Sequence, residues 1–254
     1  MINQSPIELT SNLRPKAMIL AAGLGTRLKP WTDHHPKALA MVNGKSLLQR
    51  NIEYLQRFKI FDVVVNVHHF ADQIIDVIQS NNGWGSHITI SDESNEVLET
   101  GGGLLKAASL LEGSNPIVMM NVDILTDLDL GAMIHYHQDK KPFATLATSK
   151  RNTSRYLLFD EGNNLAGWKN MASGEEKLSS AVSGKLIPRA FSGIHIIESD
   201  IFKLIQRTGK FSIIDVYLDL MSTQTIKSFE FSESRFIDVG KPESIENAEA
   251  MFPA

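Results

Sequence analysis

The chain has 254 residues, of which 43% are hydrophobic and 21% are charged, a balance that fits one large α/β domain and excludes wholesale disorder. Its formal net charge of −4 argues against a non-specific nucleic-acid binder, and no apolar stretch approaches the roughly 18–20 residues of a membrane span. Cysteine is absent, which excludes disulfides, thiolate metal sites and a cysteine nucleophile and agrees with a cytoplasmic location. We therefore expect neither nucleic acid nor a membrane among the partners.

The N-terminal residues are polar and contain no apolar signal-peptide core. We predict a polar extension over residues 1–15, followed by a single domain over residues 16–254. The first apolar run, residues 17–22, ends in Gly23-Leu24-Gly25, which is typical of a buried strand that enters a loop.

Helices and strands alternate through the following part of the chain. Apolar side chains at three- and four-residue steps predict helices over 47–55, with Ser46 as its N-cap, and over 71–78, 103–111 and 130–137. Runs rich in apolar and β-branched residues predict strands over 61–67, 87–90, 116–122 and 143–148. This alternation predicts an α/β fold with a doubly wound, Rossmann-like and mostly parallel sheet.

The second half of the chain is less regular. Glycine and asparagine interrupt residues 156–189, for which we predict small β hairpins that decorate the ligand site. Beyond them we expect a strand over 191–197, helices over 201–205 and 213–221, a strand pair that turns around 232–234, and a last helix over 243–251.

The loop after the first strand carries the most informative chemistry. Its glycines let the backbone approach a ligand closely, and backbone N–H groups in such a loop form a concavity that suits phosphate oxygens. Arg27 and Lys37 add two cations at the carboxyl edge of the sheet, where α/β folds bind ligands. The plain alternative is a strand-to-helix turn with solvated charges.

Two well-known phosphate loops do not fit these residues. A dinucleotide fingerprint needs a small residue at position 28, which is Leu28, and an acid at the end of the second strand. A Walker loop needs an earlier glycine before Gly44-Lys45-Ser46, but position 39 is Leu39. A nicotinamide-dependent oxidoreductase is therefore the weaker interpretation.

Two aspartates stand at the ends of predicted strands. Asp123 follows the run 116–122, and Asp238 lies in the run 236–240. Each alone is more often a cap or turn residue, but together they can converge on Mg²⁺, a hard cation that prefers oxygen ligands and bridges phosphates. A second glycine cluster, 101–103, stands at a predicted helix start, where it either lets a flat group lie against the backbone or forms a flexible loop.

Residues 20–37 resemble the signature of the sugar-1-phosphate nucleotidyltransferase family. The matching positions are Leu20, Ala21, Ala22, Gly23, Gly25, Thr26, Arg27, Leu28, Pro30, Thr32, Pro36 and Lys37. The resemblance implies the nucleotide-diphospho-sugar transferase fold and catalytic roles for Arg27 and Lys37. It also implies that the phosphates of an NTP are bound by Ala21, Ala22, Gly23, Gly25 and Thr26.

Residues 97–103 are similar to the base-binding loop of the same family. The resemblance implies that the nucleobase packs near Gly101, Gly102 and Gly103. For the sugar, it implies contacts from Glu99, Lys169 and Gly193, the last of which stands in a Phe-x-Gly-Ile strand.

Asp123 and Asp238 match the metal aspartates of the family, although Val122 stands where glycine is commoner. The implied activity is Mg²⁺-dependent transfer of a nucleoside monophosphate from an NTP to a sugar 1-phosphate, with release of pyrophosphate. The loop 97–103 is most similar to the branch that makes UDP-N-acetylmuramic acid, so the expected substrates are UTP and N-acetylmuramate 1-phosphate, in cell-wall sugar recycling. The alternatives are a mannose-1-phosphate guanylyltransferase, a cytidylyltransferase for an alcohol phosphate, and a non-catalytic relative that senses NDP-sugars.

Overall fold

The computed structural model describes residues 15–180 and 184–253. Except for Pro15, the predicted N-terminal extension lies outside the described residues. The strands of the first half are β1 (Lys16–Leu20), β2 (Met41–Val42), β3 (Lys45–Ser46), β4 (Asp62–Val67), β5 (His87–Asp92), β6 (Ile117–Asn121) and β7 (Ile124–Thr126). Those of the second half are β8 (Ala144–Ser149), β9 (Arg155–Phe159), β10 (Leu165–Asn170), β11 (Glu176–Leu178), β12 (Ile187–Ile197), β13 (Ile226–Glu230) and β14 (Phe236–Asp238). The helices are α1 (Leu47–Gln56), α2 (Ala71–Ser80), α3 (Glu99–Lys106), α4 (Leu130–Lys140), α5 (Ile201–Leu204), α6 (Ile213–Leu220) and α7 (Pro242–Met251).

The central sheet confirms the predicted α/β class. β1 pairs in parallel with β4 and β6, and β5 extends this parallel set beyond β4. β12 lies antiparallel between β6 and β8, and β13 pairs in parallel with β8. The resulting order, β5-β4-β1-β6-β12-β8-β13, is a mostly parallel sheet with one reversed strand.

The predicted hairpins of residues 156–189 extend this same sheet. β10 pairs antiparallel with both β9 and β11, and β9 also pairs with Ile187–Arg189 at the start of β12. The rest of β12, from Ala190 onward, pairs with β8, with a shift of register between Phe191 and His195. β12 therefore bulges just after it passes from β9 to β8.

Helices cover both faces of the sheet because its side chains alternate between two buried clusters. Ile19 of β1 packs in one cluster with Ile52 of α1 and with residues of α2 and α4. Its neighbour Met18 packs in the other cluster with Leu104 of α3 and Tyr217 of α6. Burial on both faces is what a doubly wound sheet requires, and the apolar runs of the sequence predict it.

The predicted helices occur, with one shifted start. The side chain of Ser46 accepts a hydrogen bond from the backbone N–H of Gln49, as predicted for the N-cap of α1. The helix predicted over 103–111 instead begins at Glu99 and gives way to a 3₁₀ helix at Ala108–Leu111. None of the helices in the described ranges combines the length and the apolar character that a membrane crossing needs.

The predicted pairing of two late strands around residues 232–234 is wrong. β13 joins the main sheet, whereas β14 pairs antiparallel with β7 in a separate two-stranded ribbon. In this ribbon Asp238 is opposite Ile124, and the backbone N–H of Val239 donates to the carbonyl of Asp123 at 2.8 Å. The ribbon therefore holds the two aspartates side by side although they are far apart in the sequence.

Candidate active site

A cavity of about 430 Å³ opens at the carboxyl ends of β1, β4 and β6. Its wall consists of the loop after β1, the ends of β4 and β6, the start of α3, and residues near α6 and β14. The predicted site residues on this wall are Ala22, Gly23, Gly25, Thr26, Arg27, Lys37, Glu99 and Asp123. Most of the predicted phosphate and catalytic residues thus share one concave surface, as the carboxyl edge of a parallel sheet favours.

The loop after β1 contains backbone donors without a described acceptor. The backbone N–H groups of Gly23, Leu24 and Gly25 donate no hydrogen bond to any described residue. Gly25 has a φ of +62°, and a Cβ at this position would lie 2.9 Å from the side chains of Lys37 and Thr32. Gly23 has nothing within 4 Å of its would-be Cβ. Gly25 is therefore required by the turn itself, whereas Gly23 keeps the cavity side of the loop open.

A buried amide fixes the start of this loop. The side-chain oxygen of Asn66, on β4, accepts hydrogen bonds from the backbone N–H groups of Ala21 at 2.7 Å and Ala22 at 3.3 Å. The same amide donates to Oε1 of Glu93 at 2.7 Å. Glu93 is fully buried, and its burial raises the pKa of this carboxyl. Ala21 and Ala22 consequently use their N–H groups to anchor the loop, and their predicted contact with phosphates stays a prediction.

Four charged side chains meet at one end of the cavity. Lys37 pairs with Oδ2 of Asp123, and its Nζ lies 4.0 Å from Oδ1 of Asp238. Arg27 completes the group, with its Nη2 3.5 Å from Oδ2 of Asp238. Lys37 is 9% exposed at its side chain and Arg27 is 57% exposed, so the lysine is part of the floor and the arginine lies at the mouth.

Gly240 makes room for this group. A Cβ at Gly240 would lie 2.7 Å from Nη2 of Arg27 and 2.7 Å from Oδ1 of Asp238. Any side chain here would therefore separate the guanidinium from the carboxylate. The Asp-Val-Gly sequence at the end of β14 thus contributes the carboxylate of Asp238 and, at Gly240, the space in which this carboxylate meets Arg27.

The two carboxylates are suited to holding a divalent cation. Oδ2 of Asp123 and Oδ1 of Asp238 already face one cation, the ammonium of Lys37. No group of three or more histidine, cysteine, aspartate or glutamate residues with metal-binding geometry occurs in residues 15–180 and 184–253. Mg²⁺ commonly takes only one or two carboxylates and completes its shell with water and substrate phosphates. The donor set at this site therefore fits Mg²⁺ that arrives with a nucleotide.

The glycines at 101–103 lie inside α3 and face the protein interior. A Cβ at Gly101 would lie 2.5 Å from the ring of Phe211, and one at Gly102 would lie 2.3 Å from the carbonyl of Gly209. A Cβ at Gly103 would lie 2.7 Å from the carboxylate of Glu93. These glycines are not part of the cavity wall; the segment reaches the cavity through Val97, Glu99 and Thr100. The structure therefore gives them a packing role, and their predicted contact with a base stays a prediction.

Glu99 stands at the mouth of the cavity in an unusual conformation. It has a φ of +58°, which is uncommon for a residue with a side chain. Its carboxylate lies 3.8 Å from Nζ of Lys210. Such backbone conformations persist where the surrounding structure holds them, often beside a ligand site.

Gly193 and Lys169 lie outside the cavity wall. Gly193, in the bulge of β12, has a φ of +72°, and a Cβ there would lie 2.8 Å from the side-chain nitrogen of Asn121, a wall residue. A side chain at position 193 would therefore collide with Asn121, and the predicted contact of Gly193 with a sugar stays a prediction. Lys169 lies on β10, where its Nζ is 3.4 Å from Oε1 of Glu176. The structure does not bring Lys169 to the other predicted residues.

Several wall residues are not singled out by the sequence patterns. They include Asn66, Asn121, Ser212 and Gly240. Asn66 had a detectable signal, because it is a polar residue within the otherwise apolar run Val63–Val67. Ser212 had none, since it comes from a distant loop that only the tertiary fold places beside α3.

Known proteins match the chain over nearly its full length. The family model described as nucleotidyl transferase matches residues 16–253. An N-acetylmuramate alpha-1-phosphate uridylyltransferase from Caulobacter vibrioides is 30% identical over 241 residues, which cover 92% of this chain and 95% of that protein. A mannose-1-phosphate guanyltransferase from Yarrowia lipolytica is 25% identical over 240 residues, which cover 93% of this chain and 64% of that protein.

Solved structures agree with these sequence matches. HddC from Yersinia pseudotuberculosis, in a crystal structure complexed with GMP-PN, aligns with a TM-score of 0.74 at 25% identity. The alignment covers 93% of this chain and 99% of that one. The architecture is therefore the predicted nucleotide-diphospho-sugar transferase fold, and the chain belongs to the nucleotidyl transferase family.

Proposed function

We propose that this sugar-1-phosphate nucleotidyltransferase transfers uridine monophosphate from UTP to N-acetylmuramate 1-phosphate in the presence of Mg²⁺. The Caulobacter vibrioides relative, whose name gives this activity, supports the substrate pair because the two chains align over almost their whole lengths. The loop 97–103, which is similar to that branch of the family, supports it as well. The products would be UDP-N-acetylmuramic acid and pyrophosphate.

One observation carries the chemical part of the proposal. Arg27, Lys37, Asp123 and Asp238 form a continuous set of ion pairs beside a loop in which three backbone N–H groups, those of residues 23–25, donate to no described residue. Such a surface suits a polyphosphate, since backbone donors, a guanidinium and an ammonium all bind phosphate oxygens. The reaction must bring two anions together, and this surface offers the charges that offset their repulsion.

The chemistry needs positioning more than acid–base catalysis. An oxygen of the sugar phosphate attacks the α-phosphorus of UTP, a new P–O bond forms, and the bond to the β-phosphate oxygen breaks. The leaving group is pyrophosphate, and the attacking phosphate is already ionised near neutral pH, so no general base is required. Arrangement of the two substrates and neutralisation of their charge therefore supply the rate enhancement.

Each residue of the charged set has a proposed part in this reaction. Arg27 at the mouth binds the departing phosphates, and buried Lys37 contacts the phosphoryl group in transfer. Asp123 and Asp238 would hold Mg²⁺, which would offset the negative charge of the phosphates. The N–H groups of Gly23 and its neighbours bind the triphosphate, while Glu99, Lys169 and Gly193 stay predicted sugar contacts.

Guanosine and mannose 1-phosphate are the second candidate pair. The Yarrowia lipolytica relative is named for that activity, and the Yersinia pseudotuberculosis structure was solved with a guanosine nucleotide analogue. Both matches cover 93% of this chain, so the common fold serves either substrate pair. The discrimination must then come from groups at the start of α3 and around the acceptor.

A substrate panel tests both candidates together. Pyrophosphate release would be measured for the four NTPs against the 1-phosphates of N-acetylmuramate, N-acetylglucosamine, glucose and mannose. We expect the highest kcat/KM for UTP with N-acetylmuramate 1-phosphate. A higher kcat/KM for GTP with mannose 1-phosphate would replace this proposal by the second one.

A further inference from the structure

Arg151 lies at the same sheet edge as the metal-facing aspartates, on a different strand. β8 ends at Ser149, and Arg151 follows two residues later. β8 and β6 run in the same direction, because both are antiparallel to the strand between them, β12. Two strand spacings, about 10 Å, therefore separate the end of β8 from the end of β6, where Asp123 stands.

The sheet order places Arg151 on the acceptor side of the site. Four features lie along this edge in the order of the strands: the loop after β1, Asp123 after β6, the bulge of β12, and Arg151 after β8. UTP occupies the β1 side in the proposed function, and in-line attack requires the nucleophile to approach opposite the leaving pyrophosphate. The acceptor sugar then extends across the bulge of β12 toward Arg151.

The guanidinium of Arg151 is held in place by uncharged partners. Its Nη2 donates to the carbonyl of Phe191 at 2.7 Å, and its Cζ lies 5.1 Å from the centroid of the Phe236 ring. Phe236 begins β14, the strand that ends in Asp238. The side chain thus joins the bulge of β12 to the strand that carries a metal-facing carboxylate.

Its positive charge is not matched by a close carboxylate. Neighbouring Lys150 and Arg189 both pair with Glu230, at 3.3 Å and 3.7 Å. Arg151 has no carboxylate within 4.0 Å in the described part of the chain. Burial lowers the pKa of Arg151, and the more distant charge of Asp238 opposes that shift. Only one of its five N–H donors is used, so a planar anion can still be bound.

We propose that Arg151 binds a carboxylate carried by the acceptor sugar and thereby selects an acidic sugar 1-phosphate over a neutral one. This inference rests on the proposed function. N-acetylmuramate 1-phosphate bears a lactyl carboxylate in addition to its phosphate, whereas N-acetylglucosamine 1-phosphate has the same ring without it. A guanidinium fork matches a carboxylate with two parallel hydrogen bonds.

The test compares these two acceptors in the wild-type protein and in Arg151→Gln, with UTP and Mg²⁺. We expect Arg151→Gln to lower kcat/KM for N-acetylmuramate 1-phosphate roughly 10- to 100-fold, mainly through KM, because a charged hydrogen bond is lost. For N-acetylglucosamine 1-phosphate, kcat/KM should stay within about twofold of the wild type, as should KM for UTP. Arg151→Lys, which keeps the charge but not the fork, should give an intermediate and equally selective loss.

Arg155→Gln is the matched control. Arg155 is an exposed arginine on β9, the next strand in the chain, so this variant removes the same charge four residues away. It should leave kcat/KM for both acceptors unchanged. Thermal unfolding of each variant checks the fold. An equal loss with both acceptors, or no loss with either, would overturn the role of Arg151. Wild-type protein that ignores N-acetylmuramate 1-phosphate would instead refute the proposed function and, with it, this role, so the two failures are told apart before any variant is examined.

Discussion

The chain contains two glycine-bearing segments of similar appearance that do opposite things. In the loop after β1, Gly23 faces the cavity and has open space around it. In α3, Gly101, Gly102 and Gly103 are buried against the protein's own Phe211, Gly209 and Glu93. The first segment leaves room for a ligand, whereas the second lets a helix approach its neighbours closely.

The polar groups around the two segments differ in the same way. Beneath α3, Asn66 and Glu93 are buried, and both oxygens of the Glu93 carboxylate accept hydrogen bonds from the protein. Around the loop, Arg27 and Asp238 are partly exposed, and among the described residues they form ion pairs only with one another or with Lys37. Partly exposed ion pairs of this kind can be exchanged for contacts with a substrate. The buried hydrogen bonds of Asn66 and Glu93 instead stabilise the packing of α3. We therefore expect changes near the loop to affect catalysis and changes near α3 to affect stability.

Removal of divalent metal should have the largest effect on the cavity beside the loop after β1. Excess chelator should abolish pyrophosphate release, because Asp123 and Asp238 alone add negative charge to a site that must hold two anions. The melting temperature should stay nearly unchanged, since Lys37 pairs with Asp123 within the protein itself. Activity that persists in excess chelator would discredit the two-aspartate site, and restoration by added Mg²⁺ is the control.

Loss of the exposed guanidinium should have the next largest effect. Arg27→Ala should lower kcat by roughly 100- to 1,000-fold, because it removes a charged donor that stabilises the transition state. Stability should hardly change, since the side chain is 57% exposed. Steady-state kinetics and thermal unfolding measure the two quantities separately.

Lys29→Ala is the matched control for Arg27. Lys29 lies two residues further along the same loop, but its partner is Asp33, away from the cavity wall. This variant should keep nearly full activity. Equal losses in the two variants would mean that general positive charge, rather than the position of Arg27, drives the reaction.

A pair of alanine substitutions separates the two glycine segments directly. Gly102→Ala should lower the free energy of unfolding by about 1–3 kcal/mol, because its Cβ would lie 2.3 Å from the carbonyl of Gly209. Gly23→Ala should leave that free energy unchanged and raise KM for the NTP, because its Cβ would stand in open space on the cavity wall. Urea unfolding and steady-state kinetics of both variants provide the measurements.

An exchange of the two effects would contradict the different roles of the two glycine segments. A stable Gly102→Ala protein with a raised KM for the NTP would return these glycines to the base-binding role that the sequence suggests. An unstable Gly23→Ala protein would show that the loop serves packing as well.

The smallest expected effect concerns Glu93 and pH. Burial raises the pKa of Glu93 above its ordinary value of 4.5, so the folded protein holds this proton more tightly than the unfolded chain. The resulting stabilisation is complete below pH 4.5 and is lost as pH rises through the folded pKa. Relative to Glu93→Gln, the wild-type free energy of unfolding should therefore fall as the pH rises above 4.5.

Urea unfolding at several pH values measures this difference. Glu161→Gln, which removes an exposed carboxylate, is the control and should follow the wild type. Parallel pH profiles for the wild type and Glu93→Gln would show that Glu93 titrates alike in the folded and unfolded states.

Much of the fold follows from local sequence patterns. The alternation of apolar runs identifies β1, β4, β5, β6 and β8, and Ser46 marks the start of α1, because strand burial and helix capping depend on neighbouring residues. The pairing of β14 with β7 could not be predicted in this way. It joins segments more than 100 residues apart, and only the complete fold decides which edge β14 meets.

The same distinction applies to the site. Arg27, Lys37 and Asp123 lie on one cavity wall, where the sequence motif and the strand ends place them. The role of the glycines at 101–103 could not be read from their spacing, because it depends on Gly209 and Phe211, which come from a distant loop. A glycine signals that a side chain would be unfavourable there, but not whether a ligand or the protein fills the space.

The central claim is that one cavity holds the triphosphate between the loop after β1 and the charges of Arg27, Lys37, Asp123 and Asp238. A crystal structure with Mg²⁺ and a non-hydrolysable UTP analogue tests it most directly. We predict phosphate oxygens on the N–H groups of Gly23 to Gly25, the guanidinium of Arg27 on the phosphates, and Mg²⁺ between the two carboxylates and the nucleotide. A nucleotide bound elsewhere, or a metal ion that contacts neither aspartate, would contradict the account.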